Sequence, residues 1–328
     1  SWNGGKSWST QMNQPTAQFY RVNADNDFFY RVYAGQQDNS TVAIRSRGLD
    51  GGIGLEDFKP VGGCESAHVS FDPDDPRYIY AGCYLGLINE YDSKTDSTRD
   101  IRVYPELGFG VAPKDRKYRF NWNAPIHVST HDPKVIYHAG NRLFKSSDRG
   151  HSWDIVSPDL SKNDPDTLGN GGQPITNEVS ENYGTIFAFA EHQQNANILW
   201  AGTDDGLLQI TTDAGTNWRN ITPKRAGDGL VNSIDLSAHD PETAYIAFTR
   251  YKYNDHTPLI FKTTNNGKSW KNIAKGIPNG HFVRVVREDK NKHGLLYAGT
   301  ELGMYISFDD GDNWQSLRLN LPPVPITD

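Results

Sequence analysis

Along the chain, short apolar stretches alternate with polar, glycine-rich breaks, a pattern that predicts short strands joined by tight turns and no long helices. The stretches recur in a fixed order. An apolar strand, a polar turn often containing Asp-Pro, and a second strand ending near Ala-Gly read HVSFDPDDPRYIYAG from His68, HVSTHDPKVIYHAG from His127 and IFAFAEHQQNANILWAG from Ile186. The same order returns as SIDLSAHDPETAYIAF from Ser233 and RVVREDKNKHGLLYAG from Arg284, with a looser copy, FYRVNADNDFFYRVYAG, from Phe19. A third strand follows, for example GLLQITT from Gly206 and GMYISF from Gly303, and then a fourth, NWRNIT from Asn217 and NWQSL from Asn313. Within the third strand Leu208, Ile210 and Thr212 alternate with Leu207, Gln209 and Thr211, as in sheets packed face to face. Four short antiparallel strands per unit, repeated around a ring, are the blades of an all-β β-propeller.

Between third and fourth strands lies a box: a hydroxyl residue, Asp or Asn two on, Gly two further, and Trp three beyond that. It occurs as SWNGGKSW from Ser1, SSDRGHSW from Ser146, TTDAGTNW from Thr211, TTNNGKSW from Thr263 and SFDDGDNW from Ser307. A catalytic residue is rarely needed five times, whereas a repeated fold needs its corner in every unit. Asn3, Asp148, Asp213, Asn265 and Asp309 are therefore expected to accept backbone amides of their own turns. Trp8, Trp153, Trp218, Trp270 and Trp314 are expected to open the outer strands and bury aromatic surface between sheets. Residues 42–63 and 86–105 lack a good box and carry LDGGIG and DSKTDS in its place. Six nearly complete units, a box and outer strand at residues 1 to about 14, and a tail from Val324 that starts another innermost strand give an expected seven-bladed ring with one blade incomplete.

The 328 residues are expected to form a single propeller domain, 1–328, cut from a larger multidomain precursor, because the chain begins inside a box. A net charge of −7 with both signs scattered gives no footprint for nucleic acid or an anionic membrane surface, and the apolar runs are too short for membrane insertion. Only two cysteines occur, Cys64 and Cys83. Counting outward from a turn near Asp75 sets residue 67 opposite residue 83, so a small loop at GGCES brings Cys64 within disulfide reach of Cys83. Two separately buried thiols and a metal site are the alternatives. A disulfide fits a secreted, cell-surface or periplasmic protein.

The boxes match the Asp-box of bacterial neuraminidase (BNR) repeats. The chain resembles secreted bacterial sortilin-like or glycosyl-hydrolase-like repeat proteins, themselves similar to two-propeller xyloglucanases and to the receptor domain of sortilin. SPDL from Ser157, GTDDGL from Gly202, REDKNKHGLLYAGTELGMYISFDDG from Arg287 and the closing NLPPVPITD carry the resemblance. Similarity to xyloglucanases implies paired Asp residues on loops of two facing propellers, but this chain holds one ring and no stretch aligns to either Asp. The box is common to enzymes and non-enzymes, so the resemblance bears on fold more than on function.

Topology sorts the loops. Asp-Pro turns and boxes share one rim, so ligands are expected at the other, where the innermost strands begin and second strands pass to third strands. That rim receives Gln37, Asp38 and Asn39, then Glu65, Trp122, Asn123, Asn141, Arg142, Glu178, Glu181, Asp204 and Asp205. Arg250, Tyr251, Tyr253, Arg284 and Glu301 complete it. Aromatic platforms beside amides and carboxylates suit a neutral polysaccharide. Trp122 lies outside every box and is expected to be partly exposed toward the channel. Glu65, Glu178, Asp204 and Glu301 are the catalytic candidates, since glycosidases need two carboxyls about 5 to 5.5 Å or about 6.5 to 9.5 Å apart. A sialidase would need Arg142, Arg250 and Arg284 to converge beside Tyr251, and the Arg-Ile-Pro motif expected ahead of such a site is absent. The ten histidines show no zinc spacing, and His68 and His127 repeat each other's position. No cofactor is required, and the acidic runs DPDD and DDGD are the candidates for weak Ca²⁺ binding. The expected function is binding or processing of a polysaccharide at the channel mouth. Its alternative is a non-catalytic module that is structural or captures an extracellular protein or peptide in the manner of sortilin.

Overall fold

A computed structural model describes residues 1–9, 17–48, 51–106, 108, 110–169 and 182–328. Six four-stranded antiparallel sheets follow one another along the chain, each built from four consecutive strands in chain order. We name them blades A to F, over residues 19–60, 69–100, 126–155, 186–220, 230–272 and 283–316. Blade E shows the rule most regularly, with strands Leu230–Leu236, Ala244–Arg250, Asp255–Thr263 and Lys271–Asn272 from the channel outward. Both faces of a blade are covered by neighbours, so its second strand is apolar on both sides: Ala244, Tyr245, Ile246, Ala247 and Phe248 are all fully buried. The outer strands Arg219–Asn220, Lys271–Asn272 and Gln315–Ser316 have only two residues each and are exposed, which leaves little free sheet edge.

The boxes close as local chemistry dictates. In the turn from Thr211, the Thr211 hydroxyl bonds Asp213 Oδ1 at 2.8 Å and accepts the Gly215 amide at 3.0 Å, while Asp213 Oδ1 accepts the Asn217 amide at 2.8 Å. Gly215 sits at φ +99, where a side chain would be strained. Trp218 Nε1 then donates to the carbonyl of Val156 on the preceding blade at 3.0 Å. Trp153, Trp270 and Trp314 repeat the contact onto Ile101, Ile221 and Ile273 at 2.8, 2.7 and 2.7 Å. Each of these four boxes is thus a rivet between neighbouring blades as well as a turn.

The expectation of seven blades is corrected to six. The box from Ser1 forms its own turn, with Gly5 N donating to Ser1 Oγ at 2.8 Å and Ser7 N to Asn3 Oδ1 at 2.9 Å, but it joins no sheet. Trp8 is 78% exposed, against the burial expected of it. The turn needs only its own hydrogen bonds, so a box reports a corner and not a blade. Conversely, blades A and B are complete without one: residues 46–57 and 93–96 replace it between third and fourth strands. The tail from Val324 also forms no strand. Ile326 N bonds the Thr300 carbonyl at 2.9 Å, and Asp328 accepts from Val22 N at 3.2 Å and from Arg287 Nη2 at 2.5 Å, so the tail is a wedge between blades F and A.

The Cys64–Cys83 disulfide is formed, with Cα atoms 5.0 Å apart. The register is the one the hairpin count gives, with Val69 opposite Ala81 and Ser70 opposite Tyr80. The bond ties the loop entering blade B to the end of its second strand, beside Glu65. Replacing both cysteines by serine is expected to lower the unfolding free energy by about 3 kcal/mol through the enlarged unfolded ensemble. Urea denaturation measures this, and an unchanged midpoint and slope would overturn it.

Candidate functional site

Four of the innermost strands break register at the same place, their first residues. The shifts fall between Phe19 and Val22, Ile186 and Ala188, Val231 and Ser233, and Val283 and Val285. A bulge inserts an extra residue and re-aims its side chain. The bulged residues are Tyr20 and Arg21, Phe187, Asn232 and Arg284, and all five line one cavity of about 840 Å³ at the channel mouth. Asn121, Trp122 and Asn123 join them ahead of blade C, with Asn182, Tyr183 and Asp204 from blade D, Tyr251 and Lys252 from blade E, and Val324, Pro325 and Thr327 from the tail. This is the rim opposite the boxes, as topology requires.

Aromatic groups are fixed around this mouth. Trp122 is half-buried; its Nε1 donates to Tyr20 Oη at 2.8 Å, and Tyr84 stacks on it with ring centres 5.2 Å apart. Tyr20 in turn bonds Gln37. Across the cavity Tyr251 stacks on Phe282 at 5.1 Å, and the Arg284 guanidinium lies 4.7 Å from the Tyr251 ring. Arg21 lies 5.3 Å from the Phe187 ring and donates to the Asn232 carbonyl at 3.1 Å. Burial holds Arg21 below the usual arginine range, with Arg287 and Arg284 acting the same way and Asp328 opposing them.

The most perturbed carboxyl of the mouth is Asp204, which is 6% exposed. Oδ1 accepts the Thr185 amide at 2.8 Å, and Oδ2 accepts the Thr185 hydroxyl at 2.8 Å and Asn121 Nδ2 at 3.2 Å. Burial first, and the adjacent Asp205 second, push Asp204 up to about 7. Asp205 is raised too, chiefly by burial, although Thr203 Oγ1 and the Lys162 amide donate to it. Burial and Asp205 therefore favour the protonated form of Asp204 relative to an ordinary carboxyl, while Thr185 and Asn121 hold both of its oxygens in place.

The other sequence candidates divide sharply. Glu65 does not line the cavity: its Oε2 accepts Gln37 Nε2 at 2.7 Å and the Asp38 amide at 2.8 Å, so all three join blades A and B, and neighbouring Asn39 is exposed. Glu301 pairs with Arg284 at 2.7 Å and stands behind it. Glu178 and Glu181 lie outside the described residues. Of the proposed carboxylates only Asp204 reaches the cavity among the described residues. Asn123 lines the mouth but spends its amide on the Ser66 carbonyl at 2.6 Å. Asn141 is 3% exposed and bonded to Asp159, while Arg142 reaches the Ser157 carbonyl at 3.4 Å; neither lines the cavity. Arg250 pairs with Asp255 at 3.0 Å, so the three arginines of the sialidase expectation do not converge. His127 bonds Glu191 at 3.1 Å between blades C and D, and His68 is held neutral by burial, down to about 3. Among the described residues no three His, Cys, Asp or Glu side chains gather as a metal site. Within the two acidic runs, Asp72 caps its own turn, Asp310 bonds Tyr245 and Lys262, and Asp312 pairs with Lys271.

Tyr20, Arg21, Asn121, Asn182, Phe187, Asn232 and Lys252 escaped sequence reasoning. Their shared signal was positional: most begin or immediately precede an innermost strand, but a one-residue bulge does not show in the apolar pattern.

Asp204 carries a prediction. A carboxyl whose pKa is higher in the folded chain binds more protons there, so its contribution to stability falls as pH rises from about 4 to about 7. Asp204→Asn should therefore shrink the loss of thermal midpoint between about pH 5 and about pH 8. A part of the slope will remain from Asp205 and from Asp235, which burial pushes up to about 6. An unchanged slope would show that Asp204 is ionised at no measurable cost.

No family model matches the chain. It is 23% identical over 319 residues to a probable oligoxyloglucan-reducing end-specific xyloglucanase of Neosartorya fischeri, an alignment covering 83% of this chain and 36% of that protein. Its fold is similar to a GH74 enzyme of Niastella koreensis, with TM-score 0.63, 14% identity, and 91% of this chain against 45% of that one. It is also similar to YCF48 bound to D1 peptide, with TM-score 0.57, 11% identity, and 92% of this chain against 81% of that one. The chain spans less than half the length of the xyloglucanase and of the GH74 enzyme. No helix among the described residues is long and apolar enough to cross a membrane. The fold is a six-bladed β-propeller related to the propellers of GH74 xyloglucanases and, in architecture, to a peptide-bound propeller as well.

Proposed function

We propose that this propeller binds a polysaccharide segment at the channel mouth. The observation that carries the proposal is Trp122: an indole outside every box, held by Tyr20 and Tyr84, half-buried at a cavity that Asn121, Asn182 and Asn232 also line. A pinned indole gives a sugar ring an apolar platform at small conformational cost, and Asn182 Oδ1, buried at the cavity without a partner, suits a hydroxyl donor. Binding is favoured over hydrolysis because only one carboxyl among the described residues lines the cavity, and glycosidic cleavage ordinarily uses two. The disulfide suits an extracellular or periplasmic setting.

A second reading, sortilin-like capture of an extended peptide, draws on the tail. Val324, Pro325 and Thr327 already lay a stretch of polypeptide along the cavity wall. Affinity electrophoresis through gels containing neutral polysaccharides, xyloglucan among them, separates the two. Retardation by a polysaccharide is expected, and Trp122→Ala should weaken it about tenfold, roughly 1.4 kcal/mol, with Trp122→Phe intermediate. No retardation by any polysaccharide, together with binding of an extended peptide that depends on Trp122, would overturn the glycan in favour of the peptide.

A further inference from the structure

The riveted seams keep a small common part and vary around it. The common part is the box tryptophan and the residue whose carbonyl takes its indole, the first after the preceding blade's outer strand: Ile101, Val156, Ile221 or Ile273. On the seam between blades D and E, where Trp270 meets Ile221, the surrounding residues line a groove of about 780 Å³ on the box rim, away from the channel mouth. The lining holds five cations, Arg219, Lys224, Arg225, Lys268 and Lys271, and no carboxylate. The chain as a whole has a net charge of −7.

Nothing in the construction of a seam asks for this charge. The five cations stand two before and three and four after Ile221, and directly after the box glycine and the box tryptophan. Between blades C and D the same positions are Asp154, Asp159, Leu160, Thr216 and Arg219, and between blades E and F they are Lys271, Gly276, Ile277, Asp312 and Gln315. Carboxylates outnumber cations on the first of these seams and balance them on the second, yet both keep the indole bond. Nor are the cations of the D–E groove neutralised at home. Lys271 pairs with Asp312 at 2.7 Å, but Arg219, Lys224, Arg225 and Lys268 enter no ion pair among the described residues, and Arg219 reaches only the Asn266 carbonyl, at 3.4 Å. Like charges gathered without counter-charges raise the local potential and favour an anion arriving from solution.

We infer that the D–E groove is a second binding site, independent of the mouth, for a short stretch of acidic polysaccharide whose carboxylate or sulfate groups meet Lys224, Arg225 and Lys268. Neutral groups complete the recognition. Asn220 and Asn272 spend their Oδ1 atoms on the amides of Thr222 and Ala274, at 2.9 and 3.0 Å, which leaves each Nδ2 as a donor for a sugar or acid oxygen. Trp270, partly exposed and with its Nε1 already donated, adds an apolar surface of the kind a sugar ring covers. The volume falls within the roughly 300–1,000 Å³ of small-ligand sites. Other polyanions fit less well. A nucleic acid carries phosphates beyond a groove of this size, and the boxes of the two neighbouring seams would meet them with Asp213 on one side and Asp309, Asp310 and Asp312 on the other. An acidic peptide docking by strand addition finds only the two-residue edges Arg219–Asn220 and Lys271–Asn272.

Isothermal titration calorimetry on the full chain tests this, with oligogalacturonate supplying carboxylates, low-mass dextran sulfate supplying sulfates, and dextran as the neutral control. An acidic probe should bind with an affinity that falls as salt rises, and the tighter of the two identifies the acid group. In a Trp122→Ala chain, where the mouth is disabled, the acidic probe should bind unchanged and dextran should not bind, so this site and the mouth fail separately. Combining Lys224→Ala, Arg225→Ala and Lys268→Ala should weaken the acidic probe about tenfold or more. All three side chains are exposed, so the thermal midpoint should stay where it is. Binding of neither acidic probe, or equal binding by the triple variant, overturns the inference. A DNA oligonucleotide of matched charge that binds as tightly through the same three residues would make the groove a general anion patch and overturn the glycan.

Discussion

The ring depends on a missing atom. Where the second strand of a blade passes the next blade's innermost strand, the Ala-Gly ending leaves no Cβ, and the neighbour fills the space. A Cβ on Gly35 would lie 2.6 Å from the Ala67 amide nitrogen, and one on Gly202 would lie 2.2 Å from a Val231 methyl. At Gly140 the obstacle is the Arg119 carbonyl, from the segment leading into the same blade, at 2.6 Å, and at Gly299 it is the tail's Ile326 carbonyl at 2.6 Å. Backbone cannot yield as the end of a flexible side chain can, so an alanine at Gly35 would push blade A away from the Ala67 backbone. The glycines of blades A, D and F permit this approach, while blade E carries Ala247 at the equivalent position, and the box rivets on the outer side hold the blades together.

That close approach also builds the mouth. Val231, pressed against Gly202, is followed at once by the bulged Asn232, and Ile186, whose amide bonds the Gly140 carbonyl at 2.9 Å, is followed by the bulged Phe187. The innermost strand is clamped at one residue, and the next has room only toward the channel. At blade F the tail supplies the clamp: Ile326 takes the place against Gly299 that Val231 takes against Gly202. The tail therefore closes the ring and lines the cavity by the same contact. Buried amides and ring stacks then set the side chains, and a mouth so rigid keeps Asp204 dry enough to hold its proton well above the usual carboxylate range.

Much of this was legible because it repeats. Strand, Asp-Pro turn, Ala-Gly and box each recur, and a hairpin with a known turn fixes its own register, so Cys64 and Cys83 could be paired by counting. Blade number was not legible, because a box is stabilised within eight residues and forms whether or not a sheet stands behind it, as Asn3 and Trp8 show. Site membership was legible only by rim. Glu65 and Asn141 are on the proper side, but their partners Asp38 and Asp159 turn them into struts between neighbouring segments, and partners are set by side-chain packing that no period in the sequence encodes.

Repetition gives one more step. Glu191 and Glu288 end equivalent innermost strands and are locked alike, by Ser129 and Ser237 of the preceding blade, and His131 and His239 bond the carbonyls of the residues after those glutamates at 2.9 and 2.8 Å. These two seams carry equivalent chemistry, although the innermost strands of blades A, C and E end in Ala24, Val128 and Leu236. At the bulges the equivalent positions carry an arginine with a tyrosine, a phenylalanine, an asparagine and an arginine. A scaffold has no use for such difference at positions whose backbone is the same. A ligand without six-fold symmetry does, because an off-axis segment lying across the mouth meets each blade with a different group. The bulge residues thus differ from blade to blade at the mouth, while the Glu191 and Glu288 seams on the other rim agree.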